Sequence, residues 1–290
     1  MLTVHDYKPP VEVEVDKVGV RNLEVPVIID LLSPIINSDI SFYEAGEKEV
    51  QQRIANISVY ATLPSSQKGA HLSRFPQIMS EATSLFPTSI REMTSILSEL
   101  CHRVESTKVY LKLRFDPFLS AEMQLQNNLV TSFQCTVPMT YELSYEPQSQ
   151  LLKRFVAFEL KGFNVCPCAL KECGGVASHS QKALLRVHLD LTVKPEELNQ
   201  PARSLTSWKD LFSDLIKASF SAPVGTVLKR DQEAGTILDG FSNPRFVEDS
   251  CRLAADYLSS KIQRPFSVVV DSDESITHHS AVAVILNGMP

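Results

Sequence analysis

"LLKRFVAFELKGFNV", Leu151–Val165, is the stretch whose reading decides the fold. Apolar and polar residues alternate along it, which is the period-2 signature of a long β-strand with one buried face. "ALLRVHLDLTV", Ala183–Val193, alternates in the same way, with apolar residues at 183, 185, 187, 189 and 191. Between the two lies a connection that holds three of the chain's six cysteines, "NVCPCALKECGGVASHSQ", Asn164–Gln181. Two long strands around one functional-looking connection set the frame for the rest of the chain.

Working outward, the same pattern occurs on both sides. Upstream, "VGVRNLEVPVII" (Val18–Ile29) and "RIANISVYATLP" (Arg53–Pro64) are rich in β-branched residues and read as strands. The segment from Gln77 to Glu105 carries apolar residues at helical spacing, including Ile90, Met93, Ile96, Leu97 and Leu100. Pro87 is expected to divide it into two helices. "KVYLKLRF" (Lys108–Phe115) and "LVTSFQCTVPMTYELSY" (Leu129–Tyr145) return to strand character. Downstream of the central pair, "SLTSWKDLFSDLIKASF" reads as a helix capped at Ser204 or Thr206. "NPRFVEDSCRLAADYLSSKI" reads as a helix with Asn243 as N-cap and Pro244 at its first position. "PFSVVVDSDESI" and "AVAVIL" close the chain as strands. Each half therefore reads strands, helix pair, strands. This is an α+β plan used twice, residues 1–145 and 146–290, with antiparallel sheet covered by helices on one face. Sheet edges left over by this plan favour closure into a homo-oligomer.

Composition narrows the function. The 290 residues are 43% hydrophobic and 21% charged, an ordinary globular balance, and a net charge of -6 argues against non-specific nucleic-acid binding. The opening "MLTVHDYKPP" lacks the basic and apolar regions of a secretory leader, and no window approaches the roughly 18 apolar residues of a membrane span. The expected setting is cytoplasmic, without membrane partners. Thiols stay reduced there, so clustered cysteines point to metal or catalysis before disulfides. Cys101, Cys135 and Cys251 fall in apolar-periodic segments and read as small buried hydrophobes.

Four polar clusters lie outside the strand and helix patterns. "KGAHLSRF" places Lys68, His71, Ser73 and Arg74 in a short loop suited to a phosphate group, although an ordinary solvated loop has the same composition. Cys166-Pro167-Cys168 is spaced too tightly for a zinc ribbon, and no second CxxC pair exists. One cysteine and His179, thirteen residues on, remain as a thiolate and imidazole pair suited to zinc or iron(II), although one buried cysteine and a surface histidine would read the same. "LKRDQEAGTILDGFSNPRFVED" carries Glu233 and Glu248, which on the residues alone are better explained as capping and dipole partners near a helix start. "DSDESITHHSAVAV" carries Glu274, His278 and His279 at a strand end, where they suit either a metal or plain exposure.

Taken in order, the four clusters resemble the type IB GTP cyclohydrolases of the tunnelling-fold (T-fold) superfamily. "KGAHLSRF" resembles that family's "KGxHxSRF", "NVCPCALKE…SHSQK" its "LCPCSKE…AHNQR", and "APVGTVLKRDQE" its "xPVYxLLKRPDE". "NPRFVED" matches as it stands, and "ESITHHSAVA" resembles "ESIHNHSAxA". The likeness runs from about residue 60 to the C-terminus.

The resemblance implies two tandem T-fold modules assembling into a homo-oligomeric barrel, a homotetramer with active sites between subunits. It implies conversion of GTP to 7,8-dihydroneopterin triphosphate and formate, the first step of folate-type pterin synthesis. Cys166, His179, Glu233 and Glu274 take the metal positions, with Zn(II), Fe(II) or Mn(II) as cofactor, and Cys166, His179, Glu233 and His278 take the catalytic ones. Glu248 takes the guanine anchor, and Lys68, His71, Ser73 and Arg74 face the ribose triphosphate. The chain departs from the family pattern at Thr277, Ser180, Lys182 and Ala169. Two other readings stay open on the residues: a T-fold enzyme using Cys166 as a covalent nucleophile on a purine-like ring, and a non-catalytic scaffold that binds pterin or nucleotide.

Overall fold

The computed structural model describes residues 7–32, 34–36, 49–82, 90–124, 130–192, 194, 204–225 and 227–289. Pro87, Leu129, Val193 and the first six residues lie outside them. In the first half, β1 (Val15–Asp30) and β3 (Val50–Leu63) precede helices α1 (Arg74–Ala82) and α2 (Ile90–Val104), and β4 (Val109–Phe115) and β7 (Met139–Glu146) follow. In the second half, β8 (Leu151–Val165) and β9 (Ser180–Asp190) precede α4 (Trp208–Ser219), α5 (Arg230–Ser242) and α6 (Val247–Lys261), and β12 (Phe266–Asp273) and β13 (Ser280–Asn287) follow. These strands form one antiparallel sheet in the order β1-β3-β4-β7-β8-β9-β12-β13, and the short β11 (Ala222–Pro223) pairs with β8.

The sheet has one dry face because the alternation is strict. In β9 the residues at 181, 183, 185, 187 and 189 are buried and their neighbours are not. Helices cover that face. Trp208, at the head of α4, stands edge-on to Tyr141 of β7 and to Phe158 of β8, and Phe212 packs on both Trp208 and Phe158. One aromatic cluster thus ties the two halves together across the β7–β8 pairing. The opposite face is wet and carries cross-strand ion pairs: Arg186 reaches Glu159 at 3.2 Å and Asp271 at 3.6 Å.

Several expectations are corrected. The second half has three helices between its strand pairs, because Arg230–Ser242 forms α5 where the polar composition suggested a loop. Gly235, Thr236, Ile237 and Gly240 depress its intrinsic helix propensity, and packing overrides them. Gly240 is needed there, since a Cβ would lie 2.6 Å from the Phe163 ring of β8. Asn243 caps the C-terminus of α5, and α6 begins only at Val247 with Phe246 as its N-cap. The cap of α4 is Ser207, whose hydroxyl accepts from the Asp210 N–H at 3.0 Å; Ser204 and Thr206 belong to β10 (Ser204–Ser207), paired with β2 (Pro34–Ile36). Arg74 is the first residue of α1 and not part of the loop before it. β5 (Phe118–Gln124) and β6 (Val130–Thr136) form a separate hairpin that the sequence reading recognised only in its second strand. Cys101 and Cys251 are buried, whereas Cys135 is only half-buried, and all six thiols are free. Among the described residues, no helix is long and apolar enough to cross a membrane.

Candidate active site

The site grows from the end of the β8–β9 pair. Val165 pairs with Ser180, and the Cys166 N–H donates to the His179 carbonyl at 3.1 Å, extending the ladder by one pair. Residues directly opposite on antiparallel strands point to the same face, so Cys166 and His179 share one. The Ser178 hydroxyl pins the junction, donating to the Cys166 carbonyl at 2.8 Å and the His179 carbonyl at 3.1 Å. The connection between them is the helix α3 (Pro167–Glu172), not the plain loop expected. Pro167 starts it at a position where no N–H is needed. Gly174 and Gly175 end it at φ 65° and 81°, where an L side chain is strained, and the Gly175 N–H donates to the Leu170 carbonyl. The Gly-Gly turn is what brings His179 back to Cys166.

Glu274 joins from the other side. β12 ends at Asp273 opposite Lys182, and the Glu274 Oε2 lies 3.7 Å from the His179 Nδ1. Both side chains are 15% exposed, and Nδ1 has no hydrogen-bond partner. A thiol, an imidazole and a carboxylate form a donor set whose chemistry fits zinc or iron(II). Among the described residues, however, no three His, Cys, Asp or Glu side chains converge closely enough to hold an ion unaided. Glu233 stands exposed in the first turn of α5, on a different element from Cys166, His179 and Glu274.

Glu248 lies in the exposed first turn of α6, and that turn is bolted to the strand end carrying Cys166. The Arg245 N–H donates to the Val165 carbonyl at 3.0 Å, and Asn164 Nδ2 donates to the Ser250 hydroxyl at 2.9 Å. The Ser221 N–H donates to Asn164 Oδ1 at 3.1 Å, while the Val165 N–H donates to the Ser221 hydroxyl at 3.1 Å. Asn164 and Ser250 are fully buried and hydrogen-bonded to each other. Sequence reasoning missed this network. Its signal was present: Asn164 is a polar residue on the strand face shared by Val156, Phe158 and Leu160, two positions before the cysteine.

Thr277, His278 and His279 are exposed in a bend between β12 and β13. Strand alternation therefore does not constrain which way His278 turns. The phosphate-loop residues stay apart. Lys68 and Ser73 are exposed and His71 is half-buried. Arg74 is held at the end of α2, donating to the Arg103 carbonyl and to Glu105 at 3.0 Å. That end of α2 leads into β4, whose first residue Val109 pairs with Tyr145, and Tyr145 pairs with Leu152 at the far end of β8 from Cys166, roughly 45 Å away at the usual rise per residue.

With this geometry in place, the relatives are decisive. Residues 1–283 match the family described as Type I GTP cyclohydrolase folE2. The chain belongs to that family. GTP cyclohydrolase FolE2 of Desulfovibrio desulfuricans is 30% identical over 287 residues, covering 98% of this chain and 97% of the relative. The FolE2 of Nitratidesulfovibrio vulgaris Hildenborough is 31% identical, with 98% and 96% covered. A solved structure of a highly active BTUO mutant superposes with a TM-score of 0.50 at 8% identity, covering 94% of this chain and 100% of that one. That likeness concerns the fold alone. The FolE2-family chain thus carries its cysteine, histidine and glutamate on strand ends of a single mainly antiparallel sheet.

Proposed function

We propose that this protein is a metal-dependent GTP cyclohydrolase that hydrolyses GTP at C8, releases formate and yields 7,8-dihydroneopterin triphosphate for the folate pathway. The observation that carries the reading is the junction of Cys166, His179 and Glu274 at one strand end of a chain in the FolE2 family. C8 of a neutral purine is a poor electrophile, so an attacking water needs activation.

Cys166, His179 and Glu274 would hold the metal, with Glu233 of the first turn of α5 as the further candidate ligand. Zinc or iron(II) bound there supplies a Lewis acid that makes water nucleophilic near neutral pH. Glu248 pairs with the guanine donor edge, N1–H and the 2-amino group, a charge-assisted bidentate contact. Because its turn is tied to Val165 and Asn164, the guanine anchor and the metal-binding strand end are held in one rigid frame. Imidazole and carboxylate groups at the rim, His278 among them, move protons to the purine nitrogens as the ring opens.

The remaining parts come from assembly. Lys68, His71, Ser73 and Arg74 lie too far from Cys166 within one chain to meet the same triphosphate, which supports a homotetramer with sites between subunits. The apolar edge strand β13, with Val282, Val284 and Leu286 at 56%, 55% and 61% exposure, supports the same reading. The test is incubation of purified protein with GTP under anaerobic conditions with Zn(II), Mn(II) and Fe(II) in turn, reading formate and, after oxidation, neopterin fluorescence. Protein that binds metal and GTP yet releases no formate with any of the three sinks the catalytic reading and favours the scaffold.

A further inference from the structure

Gln181 occupies a position that the proposed chemistry has not used. It faces Asn164 across the β8–β9 ladder and lies two residues from His179, so all three side chains share the helix-covered face. On its other side, the pairing of Lys182 with Asp273 places Glu274 as the next residue opposite Gln181. Asn164, Gln181 and Glu274 therefore form a row across three strands, with Cys166 and His179 forming the row above.

The two amides in that row differ. Asn164 is satisfied at both ends by Ser250 and Ser221. Gln181 is 8% exposed, yet its Oε1 has no hydrogen-bond partner. A buried polar atom without a partner costs about 1–3 kcal/mol, so such atoms persist mainly where function needs them. The other orphan in the same patch is His179 Nδ1. One is an acceptor and the other, in one tautomer, a donor. Residues i and i+2 on a strand are about 6.6 Å apart, which a rotating glutamine side chain spans. Glu274, at 3.7 Å from Nδ1, is too far for a hydrogen bond and does not supply it.

We propose that Gln181 is a positioning residue for His179: its carboxamide oxygen accepts the Nδ1 proton and holds the imidazole in the tautomer that leaves Nε2 as the free lone pair. In metal sites the second nitrogen of a ligating histidine is fixed in this way, and loss of the partner weakens metal binding by about 10–100-fold. The effect on metal rests on the reading of His179 as a ligand; the hydrogen bond does not.

The test separates the two. Nitrogen-15 NMR of the full chain before metal is added, at about pH 8 where imidazole is neutral, should show the Nδ1–H tautomer for His179. Gln181→Leu should shift it to the other tautomer or to a mixture. In chelator competition the same variant should bind zinc about 10–100-fold more weakly. Gln181→Glu, which keeps an acceptor, should retain the wild-type tautomer. Gln181→Met replaces the leucine variant if that one does not fold. A wild-type Nε2–H tautomer, or an apolar variant with tautomer and zinc affinity both unchanged, overturns the proposal. If the tautomer responds while zinc binds to neither protein, the hydrogen bond stands and the metal reading falls.

Discussion

In the amino-terminal half, β4 and β7 are joined through the β5–β6 hairpin; in the carboxy-terminal half, β12 and β13 are joined by Glu274–His279 alone. The strand pairs are alike in length, but β7 is buried on one face where β13 is an open edge, and the connections differ as well. The carboxy-terminal connections hold Cys166, His179 and Glu274 and are locked by the Asn164–Ser221–Ser250 network. The helix pair of the amino-terminal half holds surface ion pairs instead, such as Arg74 with Glu105 and Arg103 with Glu81 and Glu99. A repeated scaffold can thus place its bond-making residues on the strand ends of one copy, while the other supplies shape and, in the proposed assembly, the triphosphate contacts. If that division is right, substitutions should sort by half.

The largest effects belong to the carboxy-terminal strand ends. Cys166→Ala and His179→Ala should each lose bound metal and reduce formate release to background, while thermal unfolding changes little because neither side chain is in the core. Cys168→Ala should be mild, since Cys168 is exposed on α3. The reverse pattern would shift the ligand assignment by two residues. Glu248→Gln places a donor against a donor of guanine and should weaken GTP binding by about 2–4 kcal/mol, near the value of charged-group hydrogen bonds, with metal content unchanged. Calorimetric titration of GTP reads this directly; unaltered affinity returns Glu248 to the role of a helix-start carboxylate.

Asn164→Ala probes the frame and not the chemistry. It strips partners from the Ser250 hydroxyl and the Ser221 N–H, both buried, and should cost about 2–4 kcal/mol of stability by denaturant titration. A cost below about 1 kcal/mol would mean the network is not what holds α6 to β8. Thr277 and His278 come next. With the bend free of strand alternation, His278→Ala should lower turnover several-fold and Thr277→Ala should leave it nearly unchanged. A gain of turnover in Thr277→His would instead mean that His278 does not serve the site.

The strands were legible because alternation is a local property, and each long strand has one dry face that imposes it. Val109–Phe115 alternates buried and open residues as its sequence indicates. The helix α5 was not legible, because Gly240 answers to a distant ring, Phe163, which no local pattern reveals. The α3 helix had readable punctuation in Pro167 and Gly174-Gly175, but at six residues it carries no apolar period to recognise. For the site, the pairing of Cys166 with His179 follows once the two strands are placed in register. The meeting with Glu274 depends on β12 lying beside β9, a contact between segments about 90 residues apart in sequence, which composition cannot specify. Glu233 and the Lys68–Arg74 segment lie on elements away from the Cys166–His179 junction, and among the described residues no strand pairing links them to it.

The smallest effect sharpens the comparison from the amino-terminal side. Lys108 and Glu146 lie at the ends of β4 and β7, with Nζ 2.5 Å from Oε1. The Lys108 hydrogen bond holds the Glu146 carboxyl below its ordinary value of 4.5, and the same bond raises the Lys108 ammonium above 10.5. A depressed carboxyl contributes stability that is present above 4.5 and lost as pH falls through its folded value; a raised ammonium contributes stability that is lost as pH rises through its own. The pair should therefore act between these limits and fade in acid. Both side chains are partly exposed, at 27% and 36%, so water and salt screen the bond and its contribution stays below about 1 kcal/mol. Glu146→Gln should lower the denaturation midpoint slightly at neutral pH and not at all near pH 3, with formate release unchanged at both substrate extremes. A loss of turnover in that variant would show that the amino-terminal half takes part in the chemistry, and the division between the halves would fail.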